Sequence, residues 1–432
     1  MHNVSFDLNL ADISKIEGHA SLDLTVTDGV VTETKFAISE YKRFYTQALR
    51  GKTITSIPQL LARICGTCSN AHLLCNIEAM EDALGIMPSE QTKLLKRLTM
   101  HGLMIRDHAL HLYLFVLPDV YHMDSLLDFD ENDPEQHQWL HDAFDVKAAG
   151  NHLSQAVAGR SVHAPFPTIG GFIKIIDPAQ CAPLAKELRE IRPRVLSLIE
   201  LFAKKPSSFV QESQYAAIIG DPFTYLDGDL IDSHGRRVSE KEYRQHLEHV
   251  VIPYSQASGY KFEGQYFRVG ALARLNLSKG TLHPNTRRDA AAALAHFPSH
   301  DAFDNNLAQA IEILHSVDES IDILETTTFV PEPPAQYVAR DAVGIGIIEA
   351  PRGTLYHKMI ISKEGVVKEG EVIVPTGQNQ IMIERDIRLY VQSNLDKPKN
   401  FLERGIEELI RAYDPCMSCA SHFLEVRWKE NS

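Results

Sequence analysis

Hydrophobic residues recur along this chain with two different periods, which predict strands near the N-terminus and again over residues 343–374, and helices over most of the rest. Near the N-terminus Leu22, Leu24 and Val26 alternate with polar residues, and Asp28-Gly29 supplies a turn. A β-hairpin is therefore predicted over residues 20–38. Residues 343–374 also have a β-type pattern, with a second hairpin turn around Glu364 and Gly365.

Helical spacing of apolar residues is typical of most of the remaining chain. Within residues 89–117, for example, Leu94, Leu98, Ile105, Leu112 and Phe115 recur at near-helical intervals. Helices are predicted over residues 39–62, 71–84, 89–117, 135–156, 178–204, 284–327 and 386–412.

Two stretches interrupt this pattern. Residues 159–171 are rich in glycine and proline and are predicted to form a loop. Residues 208–282 mix short strands, turns and aromatic residues, and we expect a peripheral lobe there. The sequence has no internal repeat and no low-complexity linker, so we expect a single helix-rich α+β domain over residues 1–432.

Composition narrows the range of functions. The 432 residues are 44% hydrophobic, which is sufficient for a large core, and the net charge of −14 disfavours nucleic acid as a partner. No apolar run reaches the roughly 18–20 residues that a membrane-spanning helix needs. The N-terminus lacks the pattern of a signal peptide, and six cysteines are too few for a disulfide scaffold. We therefore expect a cytoplasmic protein without a transmembrane segment.

The most informative chemistry lies in two C-x-x-C pairs near opposite ends of the chain. The first pair is Cys65 and Cys68, and the second is Cys416 and Cys419. If the fold brings the pairs together, four thiolates converge on one point, as in a metal site. A histidine follows each pair, His72 after the first and His422 after the second.

The spacing of the cysteines alone leaves two kinds of metal site open. Four thiolates suit a closed structural zinc site, but they also suit nickel and iron. Structural zinc sites usually join cysteine pairs roughly 12–20 residues apart, and a chain with an ample core does not need such a staple. Ionisable residues in short motifs around Glu17, Asp107 and Arg352 favour catalysis.

The flanking motifs resemble those of the large subunit of nickel–iron hydrogenases. The sequences R-I-C-G-T-C (63–68) and D-P-C-M-S-C-A-S-H (414–422) are similar to the family's two signature motifs. In order between and before them come K-I-E-G-H (15–19), G-R-S-V-H-A-P-F-P-T-I-G-G (159–171), V-G-A-L-A-R-L-N (269–276), E-A-P-R-G-T-L-Y-H (349–357) and V-P-T-G-Q-N (374–379).

This resemblance implies a nickel–iron centre with CO and two cyanides on the iron. Cys65 and Cys416 would be terminal ligands of nickel, while Cys68 and Cys419 would bridge the two metals. The remaining implied roles belong to the surrounding residues: His72 as hydrogen-bond donor to a bridging sulfur, Glu17 as proton relay, Arg352 over the open coordination site, Asp107 and Asp414 as its supports, and Pro351, Pro375 and Thr376 as contacts of the cyanides.

The resemblance also implies an enzyme that splits H2 reversibly and passes electrons to a partner. Outside the four cysteines only Cys75 and Cys181 remain, too few for an iron–sulfur cluster held by four cysteines. An iron–sulfur small subunit is therefore expected, along with a maturation protease and metallochaperones. The short chain is more similar to the soluble group whose further subunits serve NAD(P), F420 or another acceptor.

Two positions depart from the family pattern. In the family a carboxylate and the C-terminal histidine are expected to hold a magnesium ion, but Thr46 stands at the position of that carboxylate. Glu40 or water would have to replace the carboxylate, and the role of His422 stays open. Residues 423–432 would be either a removable tail or a permanent one. The alternatives outside the family are a complex-I-like quinone-module subunit, which lacks the four cysteines, and a zinc-stapled structural or interaction protein.

Overall fold

The fold was analysed in a computed structural model, which describes residues 4–40 and 44–421. Its α-helices are α1 (Tyr45–Ala48), α2 (Ile57–Leu61), α3 (Ser69–Leu84), α4 (Glu90–Ala109), α5 (Leu117–Val120), α6 (Pro134–Ala158), α7 (Pro178–Ala203), α8 (Ala271–Ser278), α9 (Pro284–Asp289), α10 (Ala291–Leu294), α11 (Asp304–Thr326), α12 (Pro375–Ser393), α13 (Lys399–Ala412) and α14 (Met417–Ala420). A π-helical segment, Leu110–Val116, joins α4 to α5.

The strands form small sheets around these helices. They are β1 (Phe6–Leu10), β2 (Ala20–Thr27), β3 (Val30–Ile38), β4 (Pro167–Thr168), β5 (Gly171–Phe172), β6 (Gln214–Ile219), β7 (Asp229–Asp232), β8 (Arg237–Val238), β9 (Leu247–Val250), β10 (Gly259–Phe262), β11 (Phe267–Arg268), β12 (Ala342–Ala350), β13 (Gly353–Ile361) and β14 (Val367–Ile373). Their orders in the sheets are β1-β2-β3, β4-β5, β11-β6-β7-β8, β10-β9 and β12-β13-β14.

The predicted helix-rich α+β class is confirmed, and so are most of the longer elements. Strands β2 and β3 form the predicted hairpin, to which β1 adds an edge strand that the pattern did not reveal. Strands β12 to β14 occupy the second predicted β region. Helices α3, α6 and α7 match their predictions closely, and α3 ends at Gly85 in the left-handed region with φ 72°.

Five of the predictions need correction. Residues 39–62 do not form one helix: only α1 and α2 are helical, Gly51 turns the chain at φ 75°, and Thr53 pairs with Val366. The helix predicted over 89–117 becomes π-helical after Ala109. The predicted loop at 159–171 contains the short strand β4 and the first residue of β5, with which β4 pairs.

The other two corrections concern helices that are interrupted near proline. The prediction for 284–327 is divided into α9, α10 and α11, with Pro298 in the connection. The prediction for 386–412 merges two helices, because α12 ends at Ser393 and α13 begins at Lys399, directly after Pro398. Proline lacks the amide hydrogen that a helix interior requires, so it favours a break at such positions.

Helices α3, α4, α6, α7 and α11 pack around a core that includes residues from both ends of the chain, from Leu8 to Ala420. Glycines let α4 and α6 approach closely. A Cβ on Gly150 would lie 2.7 Å from the Arg106 amide nitrogen, and one on Gly102 would lie 2.6 Å from Ser154 Oγ. This contact fixes the C-terminal part of α4, which carries Arg106 and Asp107.

The two ends of the chain meet at one point. Glu17 and Cys416 form an isolated parallel β-bridge, and the Met417 amide donates a hydrogen bond to the Glu17 carbonyl at 2.9 Å. This pairing places the I-E-G-H segment beside the second cysteine pair. Within the described ranges, no helix is long and apolar enough to cross a membrane.

Candidate metal centre

The two cysteine pairs have similar local structures. Cys65 is extended, with φ −144° and ψ 148°, and Cys68 is the N-cap of α3. Cys416 is likewise extended, with φ −111° and ψ 98°, and Cys419 lies within α14. In each pair the first cysteine is extended, and the second lies at the start of a helix, as N-cap in the case of Cys68 and within the helix in the case of Cys419. This arrangement lets both thiols face one point.

The fold brings the four thiols together as the sequence predicts. Their sulfur atoms all lie within 4.8 Å of one another, and all four residues are buried. Cys65 Sγ lies 3.4 Å from Cys416 Sγ, while Cys68 Sγ lies 3.1 Å from Cys419 Sγ. These distances suit thiolates that share a metal site, and soft sulfur donors of this kind fit nickel and iron.

Close packing gives the thiols unequal acidities. Hydrogen bonds from Cys416 and then Cys419 hold the pKa of Cys65 well below its ordinary value. Burial raises the pKa of Cys416 well above the ordinary value, and the neighbouring thiols add to this effect. One thiolate is thus stabilised by its neighbours, and a cation would be needed to ionise the others.

The predicted proton relay lies against this group. Glu17 Oε2 accepts a hydrogen bond from Cys416 Sγ at 3.0 Å and from the Ser418 amide at 3.1 Å. Glu17 Oε1 lies 4.0 Å from Cys65 Sγ. Burial raises the pKa of Glu17 above its ordinary value, and the neighbouring Cys65 raises it further. A carboxyl group so placed can exchange a proton with a thiol.

Arg352 occupies the opposite side with both predicted supports. Its Nη1 donates to Asp107 Oδ2 at 2.8 Å, and its Nε donates to Asp414 Oδ1 at 3.1 Å. Its buried Nη2 lies 3.0 Å from the same Asp414 oxygen as an ion pair, but none of its contacts among the described residues has hydrogen-bond geometry. Asp414 has a φ of 49°, in the left-handed region that asparagine and aspartate tolerate better than most residues.

The remaining predicted contacts line a small cavity next to the cysteines. Its lining includes Cys68, His72, Pro351, Arg352, Pro375, Thr376, Cys416 and Cys419. Thr376 also acts on the protein itself, because its hydroxyl oxygen accepts a hydrogen bond from the Cys416 amide at 2.9 Å. A small cavity lined by thiols, prolines and a guanidinium group beside four converging sulfurs fits a metal centre.

His72 is also where the sequence predicts it. Its Nε2 lies 3.7 Å from Cys419 Sγ, and its Nδ1 lies 3.2 Å from Nε2 of His357. Burial lowers the pKa of His72 to about 4, so its ring is neutral at pH 7. Sequence reasoning missed His357, although it is the last residue of the E-A-P-R-G-T-L-Y-H motif.

A second group that sequence reasoning missed holds the Arg352 loop in place. Arg274 is fully buried and donates two hydrogen bonds to Glu312, at 2.6 and 2.7 Å, and one to Glu349 at 2.8 Å. It also donates to the carbonyls of Ala350 and Pro351, at 3.1 Å each. The only signal for Arg274 in the sequence was its place in the motif V-G-A-L-A-R-L-N (269–276). Its partners belong to elements far away in the sequence, so the motif alone could not identify them.

Asp414 receives similar support from two further residues that the sequence did not reveal. Gln309 Nε2 donates to Asp414 Oδ2 at 2.9 Å, and Gln309 Oε1 lies 2.6 Å from His111 Nδ1. His111 Nε2 is 2.8 Å from the Arg411 carbonyl oxygen. Helix α11 and the π-helical segment therefore orient the carboxylate that pairs with Arg352.

The predicted magnesium site falls partly outside the structure. His422 and residues 423–432 lie outside the described residues, so their predicted roles stay predictions. Thr46 lies in α1 and is partly buried. Glu40 lies near the second cysteine pair, because both adjoin Gly18. A Cβ built on Gly18 would lie 3.2 Å from Glu40 Oε2, 2.9 Å from Met417 Cβ and 3.0 Å from the Ser418 amide nitrogen.

Comparison with known proteins agrees with this geometry. Residues 43–160 and 225–422 match the family described as nickel-dependent hydrogenase. Sulfhydrogenase 1 subunit alpha of Pyrococcus furiosus is 30% identical, with 99% of this chain and 100% of that protein covered. NAD-reducing hydrogenase HoxS subunit beta of Cupriavidus necator is 26% identical, with 98% and 96% covered.

Solved structures support the same fold. A chain of an NAD+-reducing [NiFe]-hydrogenase in its H2-reduced state superposes with a TM-score of 0.84 at 24% identity, covering 97% of this chain and all of that one. None of these similarities supports a quinone-module subunit or a zinc-stapled protein. The chain belongs to the nickel-dependent hydrogenase family and is the catalytic subunit of an oxidoreductase that acts on H2.

Proposed function

We propose that Cys65, Cys68, Cys416 and Cys419 hold a nickel–iron centre at which H2 is split heterolytically and reversibly. The observation that carries this proposal is the buried group of four thiols with Glu17 Oε2 only 3.0 Å from Cys416 Sγ. We propose Cys65 and Cys416 as terminal ligands of nickel and Cys68 and Cys419 as bridging ligands. A nickel–iron centre bound there supplies the Lewis acid that polarises H2.

The protein's part in the proton transfer is carried by Cys416 and Glu17. The thiol of Cys416 is within hydrogen-bond reach of the Glu17 carboxylate, so a proton on this sulfur can pass directly to Oε2. Burial raises the pKa of Glu17, which brings the carboxyl group closer to the acidity that suits repeated proton uptake and release near neutral pH. Ser418 holds Oε2 in position through its backbone amide.

Arg352 is proposed to polarise the substrate from the other side and to donate to a cyanide on the iron. Its guanidinium is fixed by ion pairs with Asp107 and Asp414, which keep it charged, and Nη2 has a second N–H beyond its contact with Asp414. Pro351, Pro375 and Thr376 line the same cavity and are the proposed contacts of the CO and cyanide ligands. His72 is proposed to donate to the sulfur of Cys419.

Electrons must leave through another subunit. Cys75 Sγ lies 3.3 Å from the Gly346 carbonyl oxygen, and Cys181 belongs to α7, so neither adds to the four-cysteine site. The similar proteins are named as subunits, which supports an iron–sulfur small subunit as partner. We further propose that the protein is cytoplasmic and that residues 1–432 act as one domain. Its proposed further partners are NAD(P)-, F420- or other acceptor-linked subunits, a maturation protease and metallochaperones.

The proposed magnesium ion needs a carboxylate near the C-terminal histidine. Glu40 is our candidate, because its carboxylate lies beside Gly18, close to Met417 and Ser418. Met417 and Ser418 precede His422 by only five and four residues. Oxygen donors of this kind suit magnesium. Thr46 would then need no direct role in binding the ion.

An infrared spectrum of the anaerobically purified complex tests this function. A mature centre of the proposed kind gives CO and cyanide stretching bands, and these bands shift when the sample is reduced under H2. A complex that contains metal but shows neither type of band would contradict the proposed iron ligands. Retention of all bands in a Glu40→Gln variant with loss of bound magnesium would support Glu40 as the ligand of that ion.

A further inference from the structure

Arg106 is an exception among the buried arginines of the described residues. Four of the five buried arginines form ion pairs with carboxylates. These pairs are Arg268 with Asp386, Arg274 with Glu312 and Glu349, Arg352 with Asp107 and Asp414, and Arg411 with Asp119 and Glu407. Arg106 is only 6% exposed, yet no carboxylate in the described part of the chain lies within ion-pair distance of it.

An unpaired buried charge is destabilising. Transfer of an ion from water into a protein interior costs several kcal/mol unless another charge compensates it. Among residues 4–40 and 44–421, the buried Nε of Arg106 has no hydrogen-bond partner. The guanidinium donates one hydrogen bond to these residues, from Nη2 to the Thr67 carbonyl at 2.7 Å. A neutral carbonyl does not compensate a full positive charge, so the compensating anion has to be sought elsewhere.

The position of that hydrogen bond indicates the anion. Thr67 lies between Cys65 and Cys68 in C-G-T-C, and its hydroxyl is 3.2 Å from Cys65 Sγ. Asp107 is the next residue on α4, but its Oδ2 is already bound to Arg352. Burial lowers the pKa of Arg106, and the charge of Asp107 opposes this effect most strongly, followed by the thiolates of Cys68 and Cys65. Because Asp107 already forms an ion pair with Arg352, the thiolates are the negative charges left for Arg106.

We propose that Arg106 is the countercharge of the four-cysteine site and thereby sets its reduction potential. The inference rests on the proposed function, since it needs a redox-active centre held by these thiolates. A positive charge fixed beside the first cysteine pair stabilises each electron that is added to the site, because Coulomb attraction is strong where water is excluded. Arg106 is in this sense a positioning and electrostatic residue, and it does not touch the substrate.

Redox titration of the complete complex, followed by electron paramagnetic resonance of nickel, tests the proposal. Arg106→Gln removes the charge but keeps a donor for Thr67, and we expect its nickel couple to shift to more negative potential than in the wild type. Arg106→Lys keeps the charge, and its potential should stay close to that of the wild type. Lys93→Gln is the control, because it removes a charge from the same helix about 20 Å away.

Two results would overturn the proposal: an unchanged potential in Arg106→Gln, or an equal shift in Arg106→Lys. If the unchanged potential comes with weaker binding of the small subunit, Arg106 is instead assigned to a partner carboxylate. Nickel content first shows whether each variant assembles. If Arg106→Gln does not assemble, Arg106→Lys decides the question. A role of Arg106 through its hydrogen bond to Thr67 alone predicts a shifted potential in Arg106→Lys, whereas the proposal predicts none. A wild-type complex without nickel would instead refute the proposed function.

Discussion

Glu17 and Cys416 lie at opposite ends of the sequence, but their backbones pair as a β-bridge, and Glu17 Oε2 is 3.0 Å from Cys416 Sγ. The same contact that closes the fold therefore places an acid beside a metal-binding thiol. Because Met417 and Ser418 also bond to Glu17 through their amides, the carboxyl group has little freedom to turn away. This arrangement makes Glu17 the residue whose role can be tested most cleanly.

Glu17→Gln is expected to retain nickel and to lose hydrogen/deuterium exchange by at least about 10²-fold, the range typical of a general acid–base group. The amide keeps the shape of the side chain and can still accept the Ser418 hydrogen bond, but it cannot carry the proton. Exchange is measured by mass spectrometry under D2. Asp12→Asn, an exposed change on the same segment, serves as control. Exchange at the wild-type rate in Glu17→Gln would remove this residue from the proton path.

Arg352→Lys is expected to lower H2 oxidation by about 10²-fold, as is typical when one preorganised donor at a reacting group is lost. Lysine keeps the charge, but it cannot bind Asp107 and Asp414 at once and still direct a further N–H into the cavity. Activity per bound nickel is the quantity to compare. Arg192→Lys, at an ion pair with Asp318 outside the site, should keep that ratio unchanged. Equal activity of the two variants would be incompatible with the proposed role of Arg352.

Gly150→Ala should destabilise the protein by about 1–3 kcal/mol, the usual effect of adding a methyl group to a close-packed contact. The new Cβ would lie 2.7 Å from the Arg106 amide nitrogen and 3.0 Å from Arg106 Cβ, so α6 would have to move away from α4. Chemical denaturation measures the loss. Gly280→Ala is the matched control, because no atom lies within 4 Å of a Cβ there, and its effect should stay within about 0.5 kcal/mol. Similar values for the two variants would show that α4 and α6 tolerate separation.

His315 is expected to make stability depend on pH. Burial lowers the pKa of His315 from 6.5 to about 3, so between these values the unfolded chain binds one more proton than the folded protein. The free energy of unfolding should therefore rise with pH across this window and fall on acidification. In His315→Gln the slope should become shallower by up to about 1.4 kcal/mol per pH unit, measured by denaturant unfolding at a series of pH values. Parallel curves for the two proteins would indicate that His315 titrates normally.

The residues that the sequence identified are those within short motifs. As predicted, one site brings together the four cysteines and the residues around them, namely His72, Glu17, Arg352, Asp107, Asp414, Pro351, Pro375 and Thr376. Local patterns could also locate α3, α6 and α7, because each has clear end signals: Gly85 after α3, Asp133 before and Gly159 after α6, and Asp177 with Pro178 at the start of α7. These features depend mainly on residues that are close in sequence.

The features that the sequence did not reveal depend on residues far apart. Arg274 pairs with Glu312 and Glu349, which belong to α11 and β12, and no local pattern joins those positions. The helix predicted over 386–412 failed for a different reason: apolar spacing continues across residues 394–398, and the pattern outweighed the breaking effect of Pro398. Edge strand β1 was missed because pairing with β2 stabilises it.

The central claim, that Cys65, Cys68, Cys416 and Cys419 hold nickel, is tested most directly by the metal content of the anaerobically purified complex. Inductively coupled plasma mass spectrometry should find nickel in equal amount to this chain, and no nickel after Cys416→Ala removes one of the four sulfur ligands. Zinc in equal amount to the chain, with nickel absent from the wild-type protein, would contradict the account.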